Sequence, residues 1–168
     1  MADSILLTQA AFDRLKEELT QLLTVARQDI AKRIQDAREE GDLKENGGYH
    51  AAKEEQGRIE SRINRLEEML ATAEIGEADV SDGIVKQGLM VHCTLNGRDT
   101  EFFLGSHEIF EGTKHQVAID EGDLDVYSTD SPIGKVVIGK KVGDEVTFTT
   151  PNGKDIVVKI EKISEFDF

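Results

Sequence analysis

The chain has 168 residues, a single cysteine and a formal net charge of −14, which leaves room for one ordinary domain or two small ones with modest cores. Cys93 has no second cysteine to pair with, so an internal disulfide is excluded and nothing argues for an oxidising compartment. The acidic balance argues against generic binding to nucleic acid phosphate, because that affinity comes from basic residues that release counterions; proteins or cations are the expected partners, and simple solubility is the plainer reading of the charge.

The start, MADSILLTQAAFDRL, carries acid where a secretory leader would carry lysine or arginine, and no apolar run approaches the roughly 20 residues of a membrane span. A soluble cytoplasmic protein with no membrane association is expected. From Phe12 the apolar residues fall at Phe12, Leu15, Leu19, Leu22, Ala26, Ile30, Ile34 and Ala37. This is helix spacing, and its run of consecutive fours suggests a local stutter in a coiled-coil seam. Thr8 suits the N-cap of this first helix. After the glycines at 47 and 48 the series resumes at Ala52, Gln56, Ile59, Ile63, Leu66, Leu70 and Ala73. Neither helix can bury its stripe alone, so the pair is expected to form an antiparallel hairpin over residues 1–78, with a tip at 41–49. At a rise of about 1.5 Å per residue, a first arm of roughly 30 residues would stretch about 45 Å.

Past Gly76 the texture changes. Alternating apolar and polar residues appear in Val91–Leu95, Val146–Phe148 and Ile156–Ile160, with Asn96-Gly97 and Asn152-Gly153 supplying hairpin turns. Ser131-Pro132-Ile133-Gly134-Lys135-Val136-Val137-Ile138-Gly139 reads as a short helix with Ser131 at the N-cap, Pro132 at the first position and Gly139 closing it. A sheet half-wrapped around one short helix is the expected α+β architecture of residues 79–168, with Asp79 to Gly83 as linker. Charge divides with the texture: residues 1–76 hold 11 Lys and Arg against 16 Asp and Glu, residues 77–168 hold 9 against 18. Lys32, Arg33, Arg38, Lys44 and Lys53 gather toward the bend of the hairpin.

At that bend stands EEGDLKENGGYH, residues 39–50. Asp42 and Glu45 are three apart, a separation that puts both carboxylates on one side of a turned backbone. Two carboxylates are half a magnesium site, since the ion prefers six oxygens at about 2.1 Å. The tip of a rod has nowhere to find the rest, so the missing ligands would come from a second molecule into which the tip is inserted. The plainer alternative stays open: Asp42 and Asn46 suit turns that hydrogen-bond their own backbone, Gly47 and Gly48 supply positive φ, and Tyr49 and His50 can simply pack at the start of the second helix. The four histidines show no metal-ligand spacing with one another or with Cys93, and no dinucleotide fingerprint, P-loop or nucleophile elbow is present, so an autonomous enzyme has almost no support.

The stretch Gly41-Asp42-Leu43-Lys44-Glu45-Asn46-Gly47-Gly48-Tyr49-His50-Ala51-Ala52-Lys53-Glu54 resembles the tip motif of the bacterial GreA/GreB transcript-cleavage factors, GDLxENxEYxxAK. Leu7-Thr8 with Leu15 and Leu19, the Ser131-Pro132-Ile133-Gly134 turn, and Val142-Gly143-Asp144-Glu145-Val146 followed by Pro151-Asn152-Gly153 are also similar to that family, so the likeness runs end to end. It implies an N-terminal coiled-coil hairpin and a small C-terminal domain of FKBP-like α+β fold that docks on RNA polymerase at the rim of its secondary channel. It implies further that the hairpin reaches down the channel, where Asp42 and Glu45 help hold the polymerase's second magnesium and stimulate hydrolysis of backtracked nascent RNA. Asn46, Tyr49 and Leu43 would support the tip, Arg38, Lys44 and Lys53 would contact the RNA 3′ end, and Ser131, Pro132, Ile133 and Gly134 would lie at the docking face. No cofactor is expected on the isolated chain, which should act as a monomer.

Gly48, preceded by Gly47, stands where the motif carries Glu, which removes one carboxylate and predicts a more mobile tip. The few cations near the bend favour the GreA type, suited to short RNA fragments, over the more basic GreB type. A non-cleaving regulator that only blocks the channel is the alternative; the intact Asp42 and Glu45 pair argues against it. Peptidyl-prolyl isomerase activity from the FKBP-like fold is a third reading that the family does not support.

Overall fold

A run of fours in the first helix needs a turn wider than 3.6 residues, and the chain supplies one where that run begins. The structure, a computed structural model, describes residues 5–41, 45–76, 79–111 and 113–168. Within it a continuous helical arm consists of α1, Gln9–Gln21, a π turn at Leu22–Ala26, and α2, Arg27–Glu39. The Arg27 N–H donates to the Leu22 carbonyl, five residues back, so one extra residue is absorbed before Ile30 and Ile34 return to the seam. Thr20 and Thr24 donate their hydroxyls to the carbonyls of Lys16 (3.0 Å) and Thr20 (2.7 Å). Such side-chain bonds compete with the helix ladder just where it widens.

The return arm is α3, Gly47–Thr72. Ile30, Ile34 and Ala37 of α2 are buried, as are Ala52, Ile63, Leu66 and Met69 of α3, which gives the expected hairpin its shared stripe. Across the arms Arg27 meets Glu60 at 2.8 Å and Arg33 meets Glu55 at 2.6 Å; both pairs are exposed and screened by water, so they add little to stability. Arg62 is different. It lies buried in the seam beside Ile63, and its guanidinium grips Glu18 of α1 at 2.7 and 3.1 Å. Arg14 reaches the same Glu18 at 3.2 Å, and partial burial holds its guanidinium below its ordinary pKa.

Short strands β1, Leu6–Thr8, and β2, Glu74–Gly76, pair into a two-stranded sheet. The chain divides into two compact units, one built on Ala10–Glu74 and the other on Leu6–Gln9 with Ile75–Phe168. No helix of the described residues is long and apolar enough to cross a membrane.

The second unit is a mixed sheet. Its strands are β3 (Leu89–Leu95), β4 (Arg98–Leu104), β5 (Asp125–Tyr127), β6 (Glu145–Thr149) and β7 (Asp155–Glu165), in the order β5-β4-β3-β7-β6. All neighbours are antiparallel except β4 and β5. Asn96 and Gly97 both take positive φ, +49° and +81°, the backbone that a two-residue turn between twisted strands requires. Asn96 also accepts from the Val157 N–H through its Oδ1 at 2.9 Å, tying the turn to β7.

One face of the sheet is closed by α5, Pro132–Val137, whose Ile133 and Val137 join Val91, Phe102, Val158 and Ile160 in the core. A further helix, α4, Lys114–Glu121, was not expected. It buries none of its own residues, so it leaves no apolar stripe in the sequence; its signals are the caps, Thr113 Oγ1 accepting from the His115 N–H and Gly122 at φ +83°. The stretch Asp79–Gly83, expected as a linker, is a turn. Asp79 accepts from the Ser81 side chain and N–H, and Asp82 from the Lys86 ammonium and the Ile84 N–H; these hydrogen bonds hold both carboxyls below their usual pKa.

Cys93 lies in the core of this unit, and burial pushes its thiol up to about 11. Because the thiolate is the reactive form, Cys93 should react with iodoacetamide at pH 8 about 100-fold more slowly in the folded protein than in urea. The sign of the linkage also follows. A thiol whose pKa rises on folding supports the fold fully below its unfolded value of 9.0 and loses that support between pH 9 and about 11.

Candidate functional site

The bend of the hairpin begins where α2 runs out of partners. Its last turn leaves carbonyls unpaired, and the Ala37 carbonyl takes two donors: the Glu40 N–H at 3.3 Å and the side-chain amide of Asn46 at 2.6 Å. Gly41 follows at φ +126°, a backbone that favours glycine. Asp42, Leu43 and Lys44 lie outside the described residues. Glu45 is exposed and makes no side-chain hydrogen bond or ion pair with a described residue.

Asn46 caps α3. Its backbone is extended, at φ −87° and ψ 97°, and its Oδ1 accepts from the Tyr49 N–H at 3.0 Å, satisfying one of the helix's unpaired donors. Gly47 and Gly48 form the first helical turn. A Cβ at Gly48 would lie 3.3 Å from the capping oxygen of Asn46, whereas one at Gly47 would meet open space.

Tyr49 is half-buried and packs on Ile30, Ile34 and Ala52, the cluster that closes the hairpin nearest its bend. The Arg38 guanidinium stands 5.8 Å from the centre of the Tyr49 ring, and His50 meets that ring edge-on at 5.7 Å. A cation over a tyrosine face contributes about 0.5–1 kcal/mol at an exposed site, so Arg38 is partly held by the tip itself. Lys53 is exposed and reaches Gln56 at 2.9 Å. Arg33, in the same basic cluster, is committed to Glu55.

Chemically this leaves one carboxylate of the pair, Glu45, facing solvent without a counter-charge among the described residues. The described residues gather no group of three or more His, Cys, Asp or Glu able to hold a metal ion. A lone carboxylate fits a magnesium ion only as one ligand among several supplied from elsewhere.

The second candidate region is the start of α5. Ser131 Oγ accepts from the Gly134 N–H at 3.1 Å and donates to the Ser128 carbonyl at 2.6 Å. Pro132 is exposed at the first helical position, but Ile133 and Gly134 are buried. Ile133 fills the core, and a Cβ at Gly134 would lie 2.0 Å from the Ser128 carbonyl oxygen. These two shape the turn from within; of the four, Pro132 is exposed and Ser131 half-buried. Gly134→Ala should therefore cost about 3 kcal/mol, the upper end of overpacking, measured as a lower midpoint in urea unfolding.

Spacing along the sequence could not show that Asn46 reaches Ala37 or that Arg38 covers Tyr49, because both contacts cross the bend. The sequence offered Asn46 only as a turn residue and Tyr49 only as a packing residue at the start of the second helix.

A family model described as the N-terminal part of transcription elongation factors matches residues 5–75, and one described as the C-terminal part of the GreA/GreB transcription elongation factors matches residues 113–165. The curated transcription elongation factor GreA of Streptomyces coelicolor is 43% identical over 164 residues, covering 96% of this chain and 93% of its own length. That of Mycolicibacterium smegmatis is 47% identical over 160 residues, covering 94% and 92%. A solved structure, the GreA factor homolog 1 of Thermus thermophilus, is 29% identical with a TM-score of 0.43, over 96% of this chain and 99% of that one.

Proposed function

The chain belongs to the GreA/GreB family of transcription elongation factors, and from that premise we propose that it enters the secondary channel of RNA polymerase and stimulates the polymerase's own cleavage of backtracked nascent RNA. The observation that carries this reading is Glu45, an exposed carboxylate with no described counter-charge at the bend of a helical hairpin, next but two to Asp42. An acid held ready yet unneutralised suits a ligand lent to another molecule's cation.

In this reading Asp42 and Glu45 enter as two oxygen donors beside the polymerase's carboxylates. Together they would help hold a magnesium ion in that shared centre, which when bound would activate the hydrolytic water and offset charge on the attacking and leaving oxygens of the phosphodiester. Asn46 and Tyr49 fix the base of the tip, and Leu43 is assigned a supporting role there. Arg38, Lys44 and Lys53 approach the phosphates of the extruded RNA 3′ end. Ser131–Gly134 sets the turn at the docking face, with Pro132 the exposed member. The chain is then no enzyme in its own right; it binds no cofactor alone, acts as a monomer in the cytoplasm, and is of the GreA type, releasing short fragments.

Adding the protein to a halted, backtracked polymerase complex with magnesium should shorten the transcript from its 3′ end and restore elongation. Inhibition of elongation with no rise in released fragment would contradict the proposal and favour a channel-blocking regulator.

A further inference from the structure

The first arm is least packed where it widens. Between Leu15 and Ile30 none of its residues is buried, and the π turn at Leu22–Ala26 leaves Val25 44% exposed. Thr20 and Thr24 turn their hydroxyls onto the helix ladder there, and a helix bends most readily at such a place. The apolar seam is therefore interrupted, and across the gap the arms are joined by charge. Arg62 of α3, its side chain only 8% exposed, donates from Nε and Nη2 to the two carboxylate oxygens of Glu18 at 2.7 and 3.1 Å. Arg14 donates to the same carboxylate at 3.2 Å.

A pair so placed does more to choose a geometry than to stabilise one. Taking two charges out of water costs about as much as their attraction returns, and apolar residues of like volume would hold the seam at least as well. Apolar residues would not resist slippage. Their knobs find new holes one turn along, whereas a slip or swing here leaves a buried guanidinium without its carboxylate. The pairing also changes step at this point. From Arg27 back to Glu18 the first arm runs nine residues, while from Glu60 to Arg62 the return arm runs two. Apolar spacing alone sets no such offset.

We infer that Glu18 and Arg62 latch the first arm at its π turn, holding α2 and the part of α3 that faces it in one direction relative to α1. Glu45 stands beyond that outer part, so a swing at the π turn would carry its carboxylate with it. The two latch residues are thus positioning residues for the cleavage proposed above, a consequence that rests on the proposed function, because reacting groups tolerate little displacement.

The test replaces the pair by Glu18→Leu with Arg62→Met, and reads the distance across the π turn with spin labels at Lys16→Cys and Asp36→Cys. Both labelled positions are exposed, while Cys93 is buried and its thiol is pushed up to about 11. The intact latch should give one narrow distance distribution. The apolar pair should give a broad or shifted one, with the unfolding midpoint kept or raised. Arg62→Lys, which keeps the charge but gives up the two-point grip, should broaden the distribution in part. In a backtracked polymerase complex the apolar pair should lower the cleavage rate at saturation about tenfold, with the half-saturating concentration unchanged. The same narrow distribution in all three proteins would overturn the inference. A broad one with an undiminished rate at saturation would overturn the positioning role, as would a rate loss that only tracks a lowered unfolding midpoint. If Asp42→Asn with Glu45→Gln cleaves as well as the intact protein, the proposed function falls instead, and the distances still decide the latch.

Discussion

Asp42→Asn combined with Glu45→Gln should lower factor-stimulated transcript cleavage about 100-fold or more, with no loss of polymerase binding. The amides keep the shape of the carboxylates and remove their charge. A metal ligand acts through that charge, and transition-state stabilisation by a bound ion is worth several kcal/mol, of which about 2.7 corresponds to two decades of rate. Glu45 makes no ion pair with a described residue, so neutralising it breaks no described contact. The unfolding midpoint should therefore stay where it is. Competition against the intact protein would check binding, and fragment release from a backtracked complex would check the rate.

The largest loss of stability is expected from Phe103→Ala. Phe103 is fully buried on β4, and its ring meets Phe110 at 4.9 Å, Phe166 at 5.5 Å and Phe168 at 6.3 Å, all edge-on. Removing it leaves a cavity and takes away three aromatic contacts together. Phe-to-Ala changes in cores cost about 3–5 kcal/mol, and edge-to-face pairs add about 0.5–1.5 kcal/mol each beyond their burial. Denaturant unfolding followed in the near ultraviolet should show the midpoint falling by that amount divided by the slope. Val117→Ala on α4 is the matched control: Val117 is more than half exposed, and its loss should move the midpoint by less than about 0.5 kcal/mol.

The hairpin was legible because its apolar spacing is periodic from Phe12 to Ala37 and again from Ala52 to Ala73, and even the π turn left a trace in the run of fours through Ala26 and Ile30. Arg62 was not legible: a charged residue beside Ile63 reads as solvent-facing until Glu18 is brought across the seam to meet it. In the second unit the Asn-Gly turn at 96 and the cap at Ser131 are local chemistry and were read directly. Helix α4 and strand β5 were missed because one buries nothing of its own and the other is three residues long and pairs in parallel with β4, a partner set only by the folded chain. At the tip the residue types were plain, but the bond from Asn46 to Ala37 depends on how the bend closes.

The central claim is that the tip's acids complete a cation site in a partner, and the magnesium dependence of cleavage tests it most directly. Cleavage by a backtracked polymerase would be followed over a range of magnesium concentrations with the intact protein and with Glu45→Gln, both at saturation. If Glu45 is a ligand, its loss should raise the half-saturating magnesium concentration about tenfold or more, with the rate recovering in part as the ion is added. An unchanged magnesium dependence with the two proteins would show that Glu45 does not serve the metal, and would contradict the account.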